Sequence, residues 1–126
     1  IIVIGRSIGT GVATYLSSQR KTSGTVLITP YESMIDVAQE KYPYVPIALL
    51  IKHPFNSKEY ATAISSPMLS LISKNDVIIP TVHAYNLINV WKGKTMALEV
   101  DEDHNSIMGK EEVWKKIETF VSENSK

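Results

Sequence analysis

The fold of this chain is decided by its first nine residues, Ile1-Ile2-Val3-Ile4-Gly5-Arg6-Ser7-Ile8-Gly9. A run of β-branched apolar residues such as 1–4 is typical of a strand buried on both faces, as in the middle of a parallel sheet. From Ile8 to Gln19 the apolar side chains then follow a helical spacing, at Ile8, Val12, Ala13, Tyr15 and Leu16. The opening of the chain therefore predicts a strand, a sharp turn and a helix.

The rest of the chain repeats this alternation. Further apolar runs predict strands at 25–29, 68–73 and 95–100. The helices predicted between and after them cover 33–40, 58–64, 80–91 and a final amphipathic segment with its apolar face at Val113, Ile117, Phe120 and Val121. Short apolar strands that alternate with helices favour the α/β class, here a three-layer α/β/α arrangement with a parallel sheet and right-handed crossovers.

Composition narrows the possible functions. A chain of 126 residues with 44% hydrophobic side chains fits one domain. The 13 basic and 13 acidic side chains give a formal net charge of zero, which provides no electrostatic case for a nucleic-acid partner. The absence of cysteine excludes a disulfide framework, a thiolate nucleophile and a cysteine zinc site. No His, Asp or Glu cluster has metal-ligand spacing, so neither a metal nor another cofactor is predicted.

The N-terminus suggests that more protein precedes this segment. The chain opens on Ile1, inside a predicted strand, with neither an initiator Met nor a signal-peptide pattern. We therefore expect a piece of a longer protein, cytoplasmic or membrane-associated. The first strand is expected to lack a neighbour on one side, and this exposed edge could support self-association. The longest apolar run, residues 45–51, is far shorter than the roughly 20 residues that span a bilayer.

The segment Gly5-Arg6-Ser7-Ile8-Gly9 matches Gly-x-Ser-x-Gly, the nucleophile elbow, in the strand-to-helix context that this motif requires. A sharp turn there holds the serine in a strained conformation with its hydroxyl above the end of the sheet. The two glycines are expected to allow close backbone approach where a Cβ would clash. The N-terminus of the helix directs free N–H groups at the site, which suits an oxyanion. Ser7 is thus a candidate nucleophile, and the backbone N–H of Ile8 a candidate oxyanion donor.

A serine nucleophile needs a histidine to take its proton and a carboxylate to orient that histidine. In this architecture they follow later strands in the order Ser, Asp, His. Asp76 lies just after the strand at 68–73, and His104 lies in the acidic loop after the strand at 95–100. The other two histidines, His53 and His83, are expected to be surface or structural residues.

Two other interpretations remain open. Gly9 and Gly11 begin like the dinucleotide-binding motif Gly-x-Gly-x-x-Gly, and Glu32 has near the spacing of a ribose-binding acid. However, the third glycine position is Thr14, and the glycine pair begins too far from the strand end. The second alternative is a binding or structural module that keeps the fold without catalysing a reaction.

Taken together, these motifs resemble the C-terminal half of an α/β-hydrolase, in the group of serine hydrolases with Gly-Arg-Ser-Ile-Gly-Thr-Gly at the elbow. The matching segments are residues 5–11, 27–33, 42–46, 55–57, 66–69, 76–80 and 103–105. Members of that group include esterases, thioesterases, lipid hydrolases and serine peptidases. The resemblance implies hydrolysis of a small-molecule ester, thioester or amide through an acyl-enzyme intermediate, with Ser7, Asp76 and His104 as the triad. Arg6 and Tyr31 are further candidates, for substrate binding.

The resemblance is incomplete in two respects. Similar proteins usually carry a glycine shortly before the acid, where this chain has Ser73-Lys74-Asn75. Asparagine can also adopt a left-handed conformation, so this change is tolerable. An α/β-hydrolase also has about four strands before the elbow, and the loop after the third supplies a second oxyanion donor. No segment of this chain corresponds to that loop. The apolar, proline-broken segment at about 42–57 is a candidate small cap.

Overall fold

The computed structural model describes residues 1–44, 46 and 56–124. Its strands are β1 (Ile2–Arg6), β2 (Gly24–Ile28), β3 (Met68–Ser73) and β4 (Thr95–Val100). Its helices are α1 (Gly9–Gln19), α2 (Met34–Lys41), α3 (Ser57–Ala61), α4 (Thr81–Val90) and α5 (Glu111–Asn124), with a short 3-10 turn at Ile107–Gly109. The predicted alternation is therefore confirmed, although α3 ends earlier than the predicted 58–64.

The four strands form one parallel sheet in the order β1-β2-β3-β4. Arg6 lies beside Ile28 in the register, Ile28 beside Leu71, and Leu71 beside Leu98. The carboxyl ends of all four strands consequently meet at one edge of the sheet, which is where parallel α/β sheets carry their sites. The loops after the strands, including those with Ser7, Asp76 and His104, leave the sheet at this edge.

Apolar side chains alternate between the two faces of the sheet and bury both. One face, with Val26 and Leu69, packs against Ile117 and Phe120 of α5. The opposite face, with Leu27 and Met68, packs against apolar residues from α1, α3, α4 and the residue after α4, namely Ala13, Ala61, Leu87 and Trp91. This is the predicted three-layer α/β/α arrangement.

The first strand departs from the prediction of burial on both faces. Ile1 is 86% exposed and Ile4 is 53% exposed, whereas Gly5 is buried. Helix α5 packs over β2, β3 and β4. From β1, Ile2 is partly buried against the cluster that includes Ile117 and Phe120 of α5. The apolar composition of 1–4 correctly predicted a strand of the parallel sheet. Whether other elements cover both faces of that strand depends on the rest of the fold.

Two predictions fall largely outside the described residues. The first is the candidate cap at about 42–57, which includes residues 45 and 47–55. The second is the role of His53, which lies in the same range.

In the part of the chain that the structure describes, no helix is long and apolar enough to cross a membrane.

Candidate active site

The turn between β1 and α1 places Ser7 at the carboxyl edge of the sheet. Ser7 has a φ of 52°, in the left-handed region that side chains other than glycine rarely adopt. Its backbone N–H donates to the carbonyl oxygen of Ile28 at 2.8 Å, and its own carbonyl accepts from the Thr10 hydroxyl at 2.7 Å. These bonds hold the strained turn that the sequence predicted.

The two glycines of the elbow differ in their roles. A Cβ at Gly5 would lie 2.5 Å from the Gly9 carbonyl oxygen and 2.6 Å from the Ala13 Cβ, so only glycine allows α1 to cross β1 this closely. A Cβ at Gly9 would meet nothing within 4 Å. The expectation that both glycines avoid a clash is thus correct for Gly5 and, within the described residues, wrong for Gly9. The reason is that Gly5 faces the helix across the strand, whereas Gly9 begins the helix and points away from the sheet contact.

Ser7, His104 and Asp76 lie in one hydrogen-bonded chain. The Ser7 Oγ is 2.8 Å from His104 Nε2, and His104 Nδ1 is 2.7 Å from Asp76 Oδ2. Because a carboxylate can only accept, we assign the proton of the neutral imidazole to Nδ1, which leaves Nε2 to accept from the Ser7 hydroxyl. His104 and Asp76 are 7% and 8% exposed. Residues 97 positions apart in the chain therefore come into direct contact.

The Asp76 carboxylate is held by its own loop. Its second oxygen, Oδ1, accepts from the backbone N–H groups of Ile78 and Ile79 at 2.9 and 2.7 Å. Both carboxylate oxygens are thereby used, one for the loop and one for His104. This fixes the orientation of the carboxylate toward the imidazole.

Asn75 connects the acid loop with the histidine loop. Its backbone N–H donates to the Glu102 carbonyl at 3.1 Å, and its side-chain amide donates to the Asp101 carboxylate at 2.5 Å. Asn75 does not use the left-handed conformation that asparagine allows, because the non-glycine residues with positive φ in the described chain are Ser7 and Thr29. The asparagine serves here through its hydrogen bonds to the neighbouring loop.

A tight turn shapes the loop that carries His104. The Asp103 carboxylate accepts from the backbone N–H groups of Asn105 and Ser106 at 3.0 and 2.8 Å. Hydrogen bonds from Ser106, first of all from its backbone N–H, hold the pKa of the Asp103 carboxyl below its usual value. Arg6, predicted to bind substrate, donates to the Asn105 carbonyl at 3.4 Å and thus contacts the same loop. Its contact with substrate stays a prediction.

The backbone N–H of Ile8 stays a predicted oxyanion donor. Ile8 directly precedes α1, and a helix leaves its first N–H groups without an acceptor in the helix. The N–H groups of Thr10 and Gly11 donate to the carbonyl oxygens of Ser7 and Ile8. The Ile8 N–H comes immediately after the serine, the position that supplies one oxyanion donor in nucleophile elbows.

An apolar cavity opens directly beside Ser7. Its volume is about 270 Å³, slightly below the roughly 300–1,000 Å³ usual for small-molecule pockets. It is lined by Ser7, Ile8 and Tyr31, by Met34, Val37, Ala38, Lys41 and Tyr42, and by Ile78 and Ile79. The cavity can therefore hold a compact apolar group next to the serine hydroxyl.

Tyr31 forms part of the inner wall of this cavity. The side chain is buried, which raises the pKa of its phenol, and its hydroxyl donates to the Ile8 carbonyl at 3.3 Å. Tyr31 therefore contacts the beginning of α1 as well as the cavity. Its predicted role in substrate binding stays a prediction, although its position is suitable.

The sequence reasoning missed most of the cavity wall. Helix α2 contributes Met34, Val37, Ala38 and Lys41, which follow the spacing i, i+3, i+4 and i+7 of one helix face. That periodicity was the available signal, but the same spacing is also typical of a helix packed on a core. Only the position of α2 at the carboxyl edge of the sheet distinguishes the two.

His83 has an unexpected set of partners. Its Nδ1 is 2.7 Å from Glu32 Oε1, and its Nε2 is 2.6 Å from Glu40 Oε2. We expected His83 to be either a surface residue or a structural one. Because His83 is only 4% exposed, it is not a surface residue. Glu32 is also buried and is engaged by His83, which disfavours it as a ribose-binding acid. Gly11, the second glycine of the alternative nucleotide motif, lies within α1.

Among residues 1–44, 46 and 56–124, no group of three or more His, Cys, Asp and Glu side chains is arranged to hold a metal ion.

No protein-family model matches the chain. Two uncharacterized proteins of Mycobacterium tuberculosis, one from each of two strains, are 30% identical over 88 residues. That match covers 70% of this chain and 31% of each relative, so the chain spans about a third of the length of the curated relatives.

Several solved structures superimpose on nearly the whole chain. An acetyl xylan esterase from Paenibacillus sp. R4 has a TM-score of 0.73 at 17% identity, over 93% of this chain and 44% of that one. An esterase from Pyrococcus furiosus has a TM-score of 0.71 at 19% identity, over 100% and 54%. An acylaminoacyl peptidase from Pyrococcus horikoshii has a TM-score of 0.77 at 13% identity, over 98% and 24%. At these identities the comparisons show the fold, and this chain has the architecture of part of an α/β-hydrolase.

Proposed function

We propose that this chain carries the catalytic residues of a serine hydrolase that cleaves an ester, thioester or amide. The observation that carries the proposal is the continuous pair of hydrogen bonds from Ser7 through His104 to Asp76. A buried imidazole between a serine hydroxyl and a carboxylate is the arrangement that turns a weak nucleophile into an effective one. The α/β-hydrolase fold and the apolar cavity beside Ser7 support the same function.

In the first half of the proposed reaction, the Ser7 Oγ attacks the acyl carbonyl carbon while His104 Nε2 accepts the hydroxyl proton. Asp76 stabilises the imidazolium that forms and keeps its Nδ1–H directed at the carboxylate. The backbone N–H of Ile8 donates to the oxyanion of the tetrahedral intermediate. His104 then protonates the leaving group, and the acyl group remains on Ser7.

In the second half, water attacks the acyl-serine. His104 accepts a proton from the water, and the same N–H stabilises the second oxyanion. Collapse of that intermediate releases the carboxylic acid and returns the proton to Ser7. In proteins of this fold the loop after the third strand provides another oxyanion donor, and we propose that the complete protein supplies it from outside these residues.

The decisive experiment is active-site labelling of the complete protein, as its gene encodes it, with a fluorophosphonate. The reagent should label Ser7, and Ser7→Ala should abolish labelling. Hydrolysis of p-nitrophenyl acetate should fall by at least about 10³-fold in Ser7→Ala and in His104→Ala. Ser18→Ala is the matched control, because it removes a serine hydroxyl from α1, the helix that follows Ser7, at a position that does not line the cavity.

A folded, complete protein that is neither labelled nor active on any ester would contradict this proposal. That result would favour the alternative, a binding or structural module with a hydrolase fold. Equal rates in wild type and Ser7→Ala would do so too.

A further inference from the structure

The imidazole of His83 joins both ends of helix α2 to helix α4. Glu32 lies immediately before Ser33, the N-cap residue of α2, and Glu40 lies in the last turn of that helix. His83 lies in the first turn of α4 and contacts the two carboxylates through its two ring nitrogens. Each of these hydrogen bonds needs one proton between the ring nitrogen and the carboxyl oxygen, so the three side chains form a single hydrogen-bonded unit.

The described polar contacts between helix α2 and its neighbours differ in how deeply they are buried. None of the α2 residues is buried. One further ion pair, between Asp36 of α2 and Lys58 at 2.9 Å, joins side chains that are 44% and 47% exposed, and such exposed pairs contribute little to stability. By contrast, the side chains of His83 and Glu32 are both 5% exposed. Among the described residues, the second oxygen of Glu32 is buried without a hydrogen-bond partner, so this carboxylate depends on His83 for compensation.

The position of α2 determines the width of the cavity beside Ser7. Met34, Val37 and Ala38 line it from α2, whereas Ile78 and Ile79 line it from the loop that leads into α4. His83 comes shortly after Ile79 in the sequence, and its backbone N–H donates to the Pro80 carbonyl. The same imidazole therefore connects two walls of the cavity without contacting its interior.

We propose that His83 is a positioning residue, which through Glu32 and Glu40 holds α2 at the distance from Ile78 and Ile79 that suits a compact apolar acyl chain. This inference rests on the proposed hydrolase function and adds to it a determinant of acyl-chain selectivity. Contacts along the cavity act on the acyl chain beyond its first carbons. A shift of α2 consequently affects longer acyl groups, whereas an acetyl group needs little more than the space at Ser7.

The most suitable test variant is Glu40→Ala. Replacing His83 or Glu32 would leave a buried polar group without its hydrogen-bond partner and could unfold the protein. The Glu40 side chain is 51% exposed, so its removal breaks one end of the connection without opening a buried space. Glu40→Gln is the conservative variant, because its amide can still form a hydrogen bond with His83 Nε2. Glu118→Ala is the matched control, since it removes an exposed glutamate from α5, on the other face of the sheet.

The experiment compares p-nitrophenyl acetate, butyrate and octanoate in the complete protein. In Glu40→Ala we expect KM for octanoate to rise about fivefold to tenfold, as for the loss of one charge-assisted hydrogen bond, while kcat for acetate stays near wild type. Glu40→Gln should restore most of the loss, and Glu118→Ala should match wild type. An equal change for all three esters, or an unchanged KM for octanoate, would overturn the inference.

Hydrogen exchange separates this inference from the proposed function. The amides of α2 should exchange faster in Glu40→Ala than in wild type or Glu118→Ala, whether or not the protein hydrolyses esters. If no ester is hydrolysed and no fluorophosphonate is incorporated, the proposed function fails, whereas faster exchange in α2 still supports the connection. Unchanged exchange in α2 would refute the positioning role of His83 even in an active hydrolase.

Discussion

At the scale of the residue, Ser7 occupies a backbone conformation that costs roughly 1–3 kcal/mol for a residue other than glycine. The neighbouring strand end compensates, because Ser7 donates to Ile28 and accepts from Thr10. Thr29, at the end of β2, also has a positive φ, of 53°, and donates to the Leu71 carbonyl. Two strained turns thus lie side by side at the carboxyl edge, each held by the next strand.

Replacing Asp76 by asparagine should damage catalysis far more than stability. The amide oxygen can still accept from Ile78 and Ile79, but the amide NH2 would face His104 Nδ1 and favour the wrong tautomer. We expect kcat for ester hydrolysis to fall by about 10⁴-fold, with the midpoint of thermal unfolding little changed. Asp103→Asn, which also alters a carboxylate that accepts backbone N–H groups, is the control. Unfolding of Asp76→Asn would indicate that Asp76 is mainly structural.

Replacing Gly5 by alanine should destabilise the fold. The new Cβ would press against the Gly9 carbonyl and the Ala13 side chain, both fixed in α1, so we expect a loss of about 1–3 kcal/mol in the free energy of unfolding. Gly9→Ala is the matched control, because the Cβ added at position 9 would meet nothing within 4 Å and alanine favours the helical conformation. Denaturant unfolding of both variants measures the difference. Equal stabilities would show that the contact of α1 with β1 is not tight.

At the scale of the element, α2 directs its apolar face at the cavity rather than at the core of the protein. This is why none of its residues is buried although its apolar residues follow a helical period. Among the described residues, the two buried clusters on either side of the sheet contain no residue of that face, so we expect the sheet and the other helices to depend little on it. The α2 face can thus vary with little effect on folding.

Enlarging Ala38 to tryptophan should therefore narrow the cavity without unfolding the protein. Hydrolysis of p-nitrophenyl octanoate should lose about tenfold or more in kcat/KM, because its acyl chain competes with the new side chain for space. Hydrolysis of p-nitrophenyl acetate should change much less. Ala63→Trp, at an exposed position after α3, controls for the added bulk. A uniform loss for both esters would argue that the acyl group does not enter this cavity.

At the scale of the whole molecule, β1 combines two features that favour association. It is an outer strand of the sheet, and Ile4 on one of its faces is half-exposed. Natural proteins usually protect such strands with charges, bulges or covering elements. The 126-residue chain shows none of these at Ile4 in the part that the structure describes.

The chain expressed by itself is therefore expected to self-associate through β1. Sedimentation at several protein concentrations should show species larger than a monomer, and Ile4→Lys should shift the distribution toward the monomer, because a lysine on an edge strand opposes pairing. Val82→Lys, at a position that is 51% exposed on α4, is the matched control. A wild-type chain that remains monomeric at all concentrations would refute this prediction.

The sequence by itself determined the elements and the candidate triad of this protein. Strands and helices could be predicted because burial imposes periods of two and 3.6 residues on local sequence. Parallel strands also place the loops after them at one edge, so the order of Ser7, Asp76 and His104 already indicated one site. The spacing of Gly5 and Ser7 was informative because the steric requirements of a sharp turn lie within a few neighbouring residues.

Only the tertiary structure decided which faces are covered and which polar groups meet. The exposure of Ile4 depends on where α5 lies, and the role of Asn75 depends on a loop 26 residues later. The contact of His83 with Glu40 joins positions 43 residues apart. That α2 lines the cavity beside Ser7 likewise follows from the packing of segments that are distant in the sequence. Such contacts leave no period in the sequence, because each depends on the relative placement of elements, which local propensities do not specify.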